Sequence, residues 1–169
     1  FPGTSMAVRW SKILLVAAVG LLMLVMAMNN ISDYGANLRY VQHVLSMDTV
    51  FADSQLTWRA LRSPDWHHLI YRAMINTEGA IALLCLAGSL RLGLVIRQTT
   101  EVFQSAKAIA IYGLTLGFLF WFLGFMVIGG EWFTMWQSPE WNGQAPAFRF
   151  LSSVGLVLIY LTLANDDHP

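Results

Sequence analysis

His67, His68, Arg72, Asn76 and Glu78 fall within a dozen residues of one another, and an uninterrupted apolar run from Gly79 to Leu90 follows them. Polarity confined to one end of an apolar stretch points to a membrane helix with chemistry in its outer half. If that helix starts at Pro64, Glu78 lies about 14 residues along it, roughly 21 Å down the axis. A carboxylate at a helix centre costs ~2.5–3.5 kcal/mol on insertion scales, so Glu78 must be protonated, paired or facing a wet cavity. Tyr71, seven residues back, shares its face, whereas Arg72 is six away and points elsewhere. Arg149, near the outer end of the last apolar block, leans back toward the same depth and is the expected partner, through an ion pair or a shared hydrogen-bond network. Such a pair either fixes helix register or marks a ligand or ion pathway, with Tyr71, Arg72 and Asn76 completing the polar cluster.

A second group combines aromatic faces with an acid: Glu131, Trp132, Trp136 and Trp141. An interfacial belt is a sufficient reason for the indoles. Trp132 and Trp136 are four apart, however, and two rings on one helical face beside Glu131 could hold a cation. Other chemistry is thin. His43 and Met47 have a spacing able to share a soft metal, but two ligands are too few, and His67 and His68 diverge by about 100° on a helix. We expect no metal and no cofactor. No Ser/His/Asp order, phosphate loop, paired catalytic carboxylates or zinc signature is present, so we expect no enzyme. Zero net charge without a basic patch argues against nucleic-acid binding.

The elements that must position these residues are four apolar blocks, roughly Ile13 to Met28, Leu69 to Leu90, Ala108 to Gly130 and Ala147 to Ala164. Each approaches the ~20 residues that cross a ~30 Å hydrocarbon layer. Across 169 residues, 56% are hydrophobic and 12% charged, against about 25% charged in soluble domains. The expected fold is an all-α, polytopic four-helix membrane bundle, a single domain over 6–169 with spans at about 10–29, 66–92, 107–130 and 146–164. Phe1 to Ser5 reads as an expression scar. A signal peptide is the rival reading of the first block, weakened because Asn29 and Asn30 follow it directly without a small-residue cleavage site. Arg9, Lys12, Arg91, Arg97 and Lys107 on one side outweigh Arg39, Arg59 and Arg62 on the other, which favours cytoplasmic termini, and the terminal Asp166 and Asp167 do not oppose it.

The outer loops, about 30–65 and 131–145, are patterned. Asp33-Tyr34-Gly35 reads as a turn, Leu38, Val41, Gln42 and Leu45 share a helical face, and Leu56 to Leu61 repeats a short amphipathic turn. Two short helices should lie over the bundle end, as a lid or as a binding surface. Ser63-Pro64-Asp65-Trp66 and Ser138-Pro139-Glu140-Trp141 both read as helix starts, by chance or by an old hairpin duplication. Gly113, Gly117 and Gly124 make a small-residue stripe, for packing within the chain or against a second copy or another membrane protein. Cys85, the lone cysteine, excludes an internal disulfide.

Asn30-Ile31-Ser32-Asp33-Tyr34-Gly35, Val44 to Thr49, Gly124 to Phe133, Met135-Trp136-Gln137-Ser138, Trp141-Asn142-Gly143-Gln144 and Ala147-Phe148-Arg149-Phe150 resemble a bacterial, mostly proteobacterial family of small integral membrane proteins, a family of unknown function. The resemblance covers about Val8 to Leu163 and implies four membrane helices in a bacterial inner membrane, with no activity to carry over. Two functions follow from the residues. One is a non-enzymatic accessory or assembly module; the other is a small-molecule, lipid or ion binder or transporter using a periplasm-facing cavity around Glu78 and Arg149.

Overall fold

A computed structural model describes the backbone of residues 2–163 and side chains from Ser5 onward; the expectations on Phe1, Asp166 and Asp167 lie outside the described residues. Helix α1 (Pro2–Ser32) is followed by a short α2 (Tyr34–Ser46), a long α3 (Pro64–Leu94), an α4 of about two turns (Thr100–Ala106), α5 (Ala108–Leu119) and α6 (Gln144–Thr162). From Phe120 to Trp132, α5 continues in π-helical register, closing with the Phe133 N–H on the Ile128 carbonyl at 2.9 Å. Ser5–Ser32, Pro64–Leu94, Thr100–Trp132 and Gln144–Thr162 are long and apolar enough to span a bilayer, so the four-helix membrane bundle expected from the sequence is the observed fold.

Helix α3 is central because small residues let both neighbours come close. A Cβ on Gly88 would stand 2.6 Å from the Ala110 nitrogen of α5, and one on Gly20 would stand 2.9 Å from Leu86. Gly113 lies as tightly against Cys85 and Leu84, and Gly117 faces Ile81 and Val154. The first two glycines of the expected stripe are therefore consumed inside the bundle, which withdraws them as a surface for a partner. Gly124 differs: nothing lies within 4 Å of where its Cβ would be.

At the α4 end, basic residues of the side that carries the Lys and Arg excess are buried as clamps. The Arg9 guanidinium donates to the Ile96 and Gln98 carbonyls at 2.8 and 2.7 Å and lies 4.7 Å from the centre of the Phe103 ring. Lys12 and Lys107 both donate to the Leu163 carbonyl. At the opposite end, α2 lies across the bundle, burying Val41, Leu45 and Met47 against Tyr71, Ile75 and Phe133. The second expected short helix is only a 3-10 turn, Thr57–Arg59.

The two Ser-Pro-acid-Trp phrases part company. Ser63 does precede α3, with its backbone carbonyl receiving the Trp66 and His67 N–H groups. Ser138 starts no helix: its hydroxyl accepts the Trp141 N–H at 2.9 Å within a loop, and α6 begins only after Gly143. This removes the structural basis for a duplicated hairpin.

Candidate functional site

The buried stripe of α3 runs His67, Tyr71, Ile75, Glu78, Ala82 and Cys85, at the three- and four-residue spacing of one helical face. Only 3% of Glu78 is exposed. Its partner comes from α1, whose buried stripe Val16, Val19, Met23 and Ala27 ends in a polar residue, Asn30. The Asn30 amide donates to Glu78 Oε2 at 2.8 Å, its Oδ1 accepts from the Asn37 amide at 2.6 Å, and its backbone carbonyl accepts from the Tyr71 hydroxyl at 3.4 Å. Helices α1, α2 and α3 are thus tied by one polar chain ending on the carboxyl group.

Glu78, Asn30, Asn37 and Tyr71 form the polar side of a cavity of about 290 Å³. Aromatic rings form the other side: Trp121 packs on Phe150 at 4.7 Å and on Phe125 at 4.8 Å between ring centres. Trp121 lies where α5 has passed into π-helical register, a geometry enriched at functional sites. It is 4% exposed, and its indole N–H has no hydrogen-bond partner. A second, apolar volume of about 480 Å³ adjoins the first and shares Tyr40, Val41, Met74 and Phe125 with it.

Tyr40 closes this region from α2. Its hydroxyl donates to the Met135 sulfur at 2.7 Å and occupies the space a side chain on Gly143 would fill. Burial pushes the phenol up to about 12, with a smaller opposing effect from the Gly143 backbone. A pKa raised on folding contributes stability that is complete below the unfolded value of 10 and lost as pH rises toward 12. We therefore expect α2 to loosen between those values and Tyr40→Phe to abolish that part of the loss. Amide exchange of α2 against pH reads it, and an unchanged profile in the variant would refute the assignment.

Among the expected site residues, only Glu78 and Tyr71 come together here. Arg72 and Asn76 face outward from α3, and Arg149 is exposed on α6. No ion pair joins Arg149 to Glu78 among the described residues. The reason is angular: Ala147, Leu151 and Val154 are the buried face of α6, and a residue two positions from both Ala147 and Leu151 points roughly 200° away. The aromatic and acidic group also disperses. Thr134, in left-handed conformation with φ 50°, ends the helix between Trp132 and Trp136, so the two indoles share no face. Trp132 carries Arg59, whose guanidinium sits 4.6 Å from its ring centre; Trp136 meets Phe51, and Trp141 stacks on His43 at 4.4 Å. Glu131 is exposed. His43 itself pairs with Asp48 at 2.9 Å, while Met47 is buried, and no group of three metal-ligating side chains occurs among the described residues.

Sequence reasoning missed Asn30, Asn37 and Trp121. Asn30 could have been found by extending the three- and four-residue periodicity of the first apolar block past Met28.

A family model described as a predicted small integral membrane protein (DUF2165) matches residues 8–164. No curated protein and no solved structure matches the chain.

Proposed function

We propose, for a chain that belongs to this family of small integral membrane proteins, a binding role without catalysis, in which a small molecule occupies the cavity around Glu78. One observation carries the reading: a buried acid with no basic partner among the described residues lines a cavity of about 290 Å³. Such an acid is costly in a dry interior and is satisfied by a ligand that offers it a donor. A cavity lined mainly by aromatic and apolar groups with a few convergent polar atoms is the usual form of a small-molecule site. The excess of Lys and Arg near the α4 end supports an inner-membrane protein with cytoplasmic termini, which puts the α2 end and the cavity toward the periplasm.

Thermal unfolding in mild detergent, with and without a total extract of bacterial membranes, tests the proposal. The extract should raise the midpoint of the unmodified protein and leave Glu78→Gln and Trp121→Phe unmoved. Equal shifts in all three, or none in any, would remove the ligand reading. An accessory module contacting another protein through its α2 end is the second reading, favoured by the exposure of Phe51, Trp58 and Trp66 on that side.

A further inference from the structure

We infer that the group held in the cavity is a primary ammonium on a short carbon stem, of the kind that ends ethanolamine. The second carboxyl oxygen of Glu78 binds it, and it enters from the outer water–lipid boundary instead of through hydrocarbon. The inference rests on the binding reading above and deepens it.

Depth decides the route. Two residues of α1 mark the two polar levels of the bundle: Lys12, buried and donating to the Leu163 carbonyl, and Asn30, bonded to Glu78. They are 18 residues apart, about 27 Å along the helix, close to the ~30 Å of a hydrocarbon layer. Glu78 therefore stands at the outer edge of that layer and not at its centre. Counting down α3 from Pro64 misleads because about the first three turns of α3 rise beyond the end of α1 at Ser32, where Tyr71 and Ile75 pack on α2. The cavity opens at this level. Asn29 of α1, Asn37 of α2 and Pro146 of α6 line it, are exposed, and each lies within a turn of a helix end.

The ammonium follows from what Glu78 lacks. Only 3% of the residue is exposed; Oε2 accepts from Asn30, and Oε1 accepts from nothing among the described residues. Unlike the Trp121 nitrogen, Oε1 is not sealed by its neighbours and keeps surface on the cavity that Glu78 lines. No Lys, Arg or His lines that cavity, so the donor and the positive charge both come from the occupant. A calcium ion needs about six to eight oxygens, and Asn30 Oδ1 is already taken by Asn37. A quaternary ammonium has charge but no N–H to give. A primary ammonium has both, and its stem finds apolar wall at Trp121, Phe150, Met26 and Met74. The volume, about 290 Å³, lies at the small end of ligand sites and suits a headgroup and not an acyl chain.

Thermal unfolding of the full protein in mild detergent tests this with ethanolamine, ethylene glycol and choline. Ethanolamine should raise the midpoint at a concentration at least about tenfold lower than ethylene glycol, its neutral isostere, or choline, which has no N–H. Glu78→Gln should erase that preference. A blocked mouth gives the same answer if that variant fails to fold. Asn29→Cys coupled to a bulky maleimide should lose the ethanolamine shift, whereas coupled Asn76→Cys, exposed on α3 and outside the cavity lining, should keep it; Cys85 is buried and stays unlabelled in the folded protein. Nanodiscs with equal phosphatidylethanolamine and phosphatidylcholine distinguish the sources. If the ammonium is carried on a lipid, native mass spectrometry should find the ethanolamine lipid retained preferentially by the unmodified protein and not by Glu78→Gln. If it belongs to a free amine, both lipids are retained equally while ethanolamine still protects. Choline or ethylene glycol matching ethanolamine, or no ethanolamine shift with both lipids retained equally, would overturn the ammonium; a Glu78-dependent rise with membrane extract would then leave the cavity reading standing. An ethanolamine shift that survives coupling at Asn29→Cys would overturn the outer mouth. No shift from any probe or from membrane extract, with both lipids retained equally, would overturn both readings.

Discussion

Asn30→Leu should destabilise the protein by about 2–3 kcal/mol, and adding Glu78→Leu to it should restore most of that loss. The single change leaves the buried Glu78 Oε2 without its donor and takes the acceptor from the amide of the exposed Asn37, contacts that now meet Asn30 at 2.8 and 2.6 Å. A stranded buried polar group bears its full desolvation penalty, whereas removing both members of a pair can be nearly neutral. The double variant is therefore expected to be more stable than the single one, a reversal that additive loss of contacts cannot produce. Cys85, fully buried between α3 and its neighbours, provides the readout, since a thiol-reactive fluorophore reaches it only on unfolding. The Asn30→Leu midpoint should drop by roughly 4–12 °C. A double variant falling further than Asn30→Leu would mean that the Asn30–Glu78 contact does not compensate the acid. The restored double variant should also fail to respond to membrane extract, which separates folding of the site from its use.

How far the sequence reveals this site depends on which interactions are local. Glu78 and Tyr71 are legible together because seven residues along one helix return to the same face. The four spans are legible because length and hydropathy alone define them. The partner of Glu78 is not, because choosing between Arg149 and Asn30 requires the rotation of two other helices about their axes. Charge alone favours Arg149, yet the α6 stripe of Ala147, Leu151 and Val154 turns it outward. Trp121 is hidden for a different reason: in an apolar block a tryptophan reads equally as lipid-facing or as core, and only the packed structure reveals its N–H as unpartnered. The π-helical register beginning at Phe120 leaves no periodic signature among residues that are nearly all apolar. The basic residues give the reverse lesson. Arg9, Lys12 and Lys107 are recognisable as one side of the membrane, but their role as clamps on backbone carbonyls emerges only from the fold.

Glycine substitutions of similar size should divide sharply by position, and Gly88→Val is expected to be the most damaging of them. A Cβ there would come within 2.6 Å of the Ala110 nitrogen and 2.7 Å of its Cα, backbone atoms that no rotamer change can move aside. The α3–α5 pair must separate, and because lipid supplies no hydrophobic drive to pull helices back, the lost close packing is not recovered. Overpacking ordinarily costs about 1–3 kcal/mol, and a clash with backbone belongs at or above the upper end of that range. Gly113→Val, whose Cβ meets Cys85 Sγ at 2.8 Å and the Cys85 nitrogen at 2.9 Å, should behave similarly and expose the thiol early. Gly124→Leu should leave the unfolding temperature nearly unchanged, because its new side chain enters open space. If Gly88→Val unfolds with the unmodified protein, the tight crossing of α3 and α5 is wrong, and with it the helix rotation that aims Trp121 at the same cavity as Glu78.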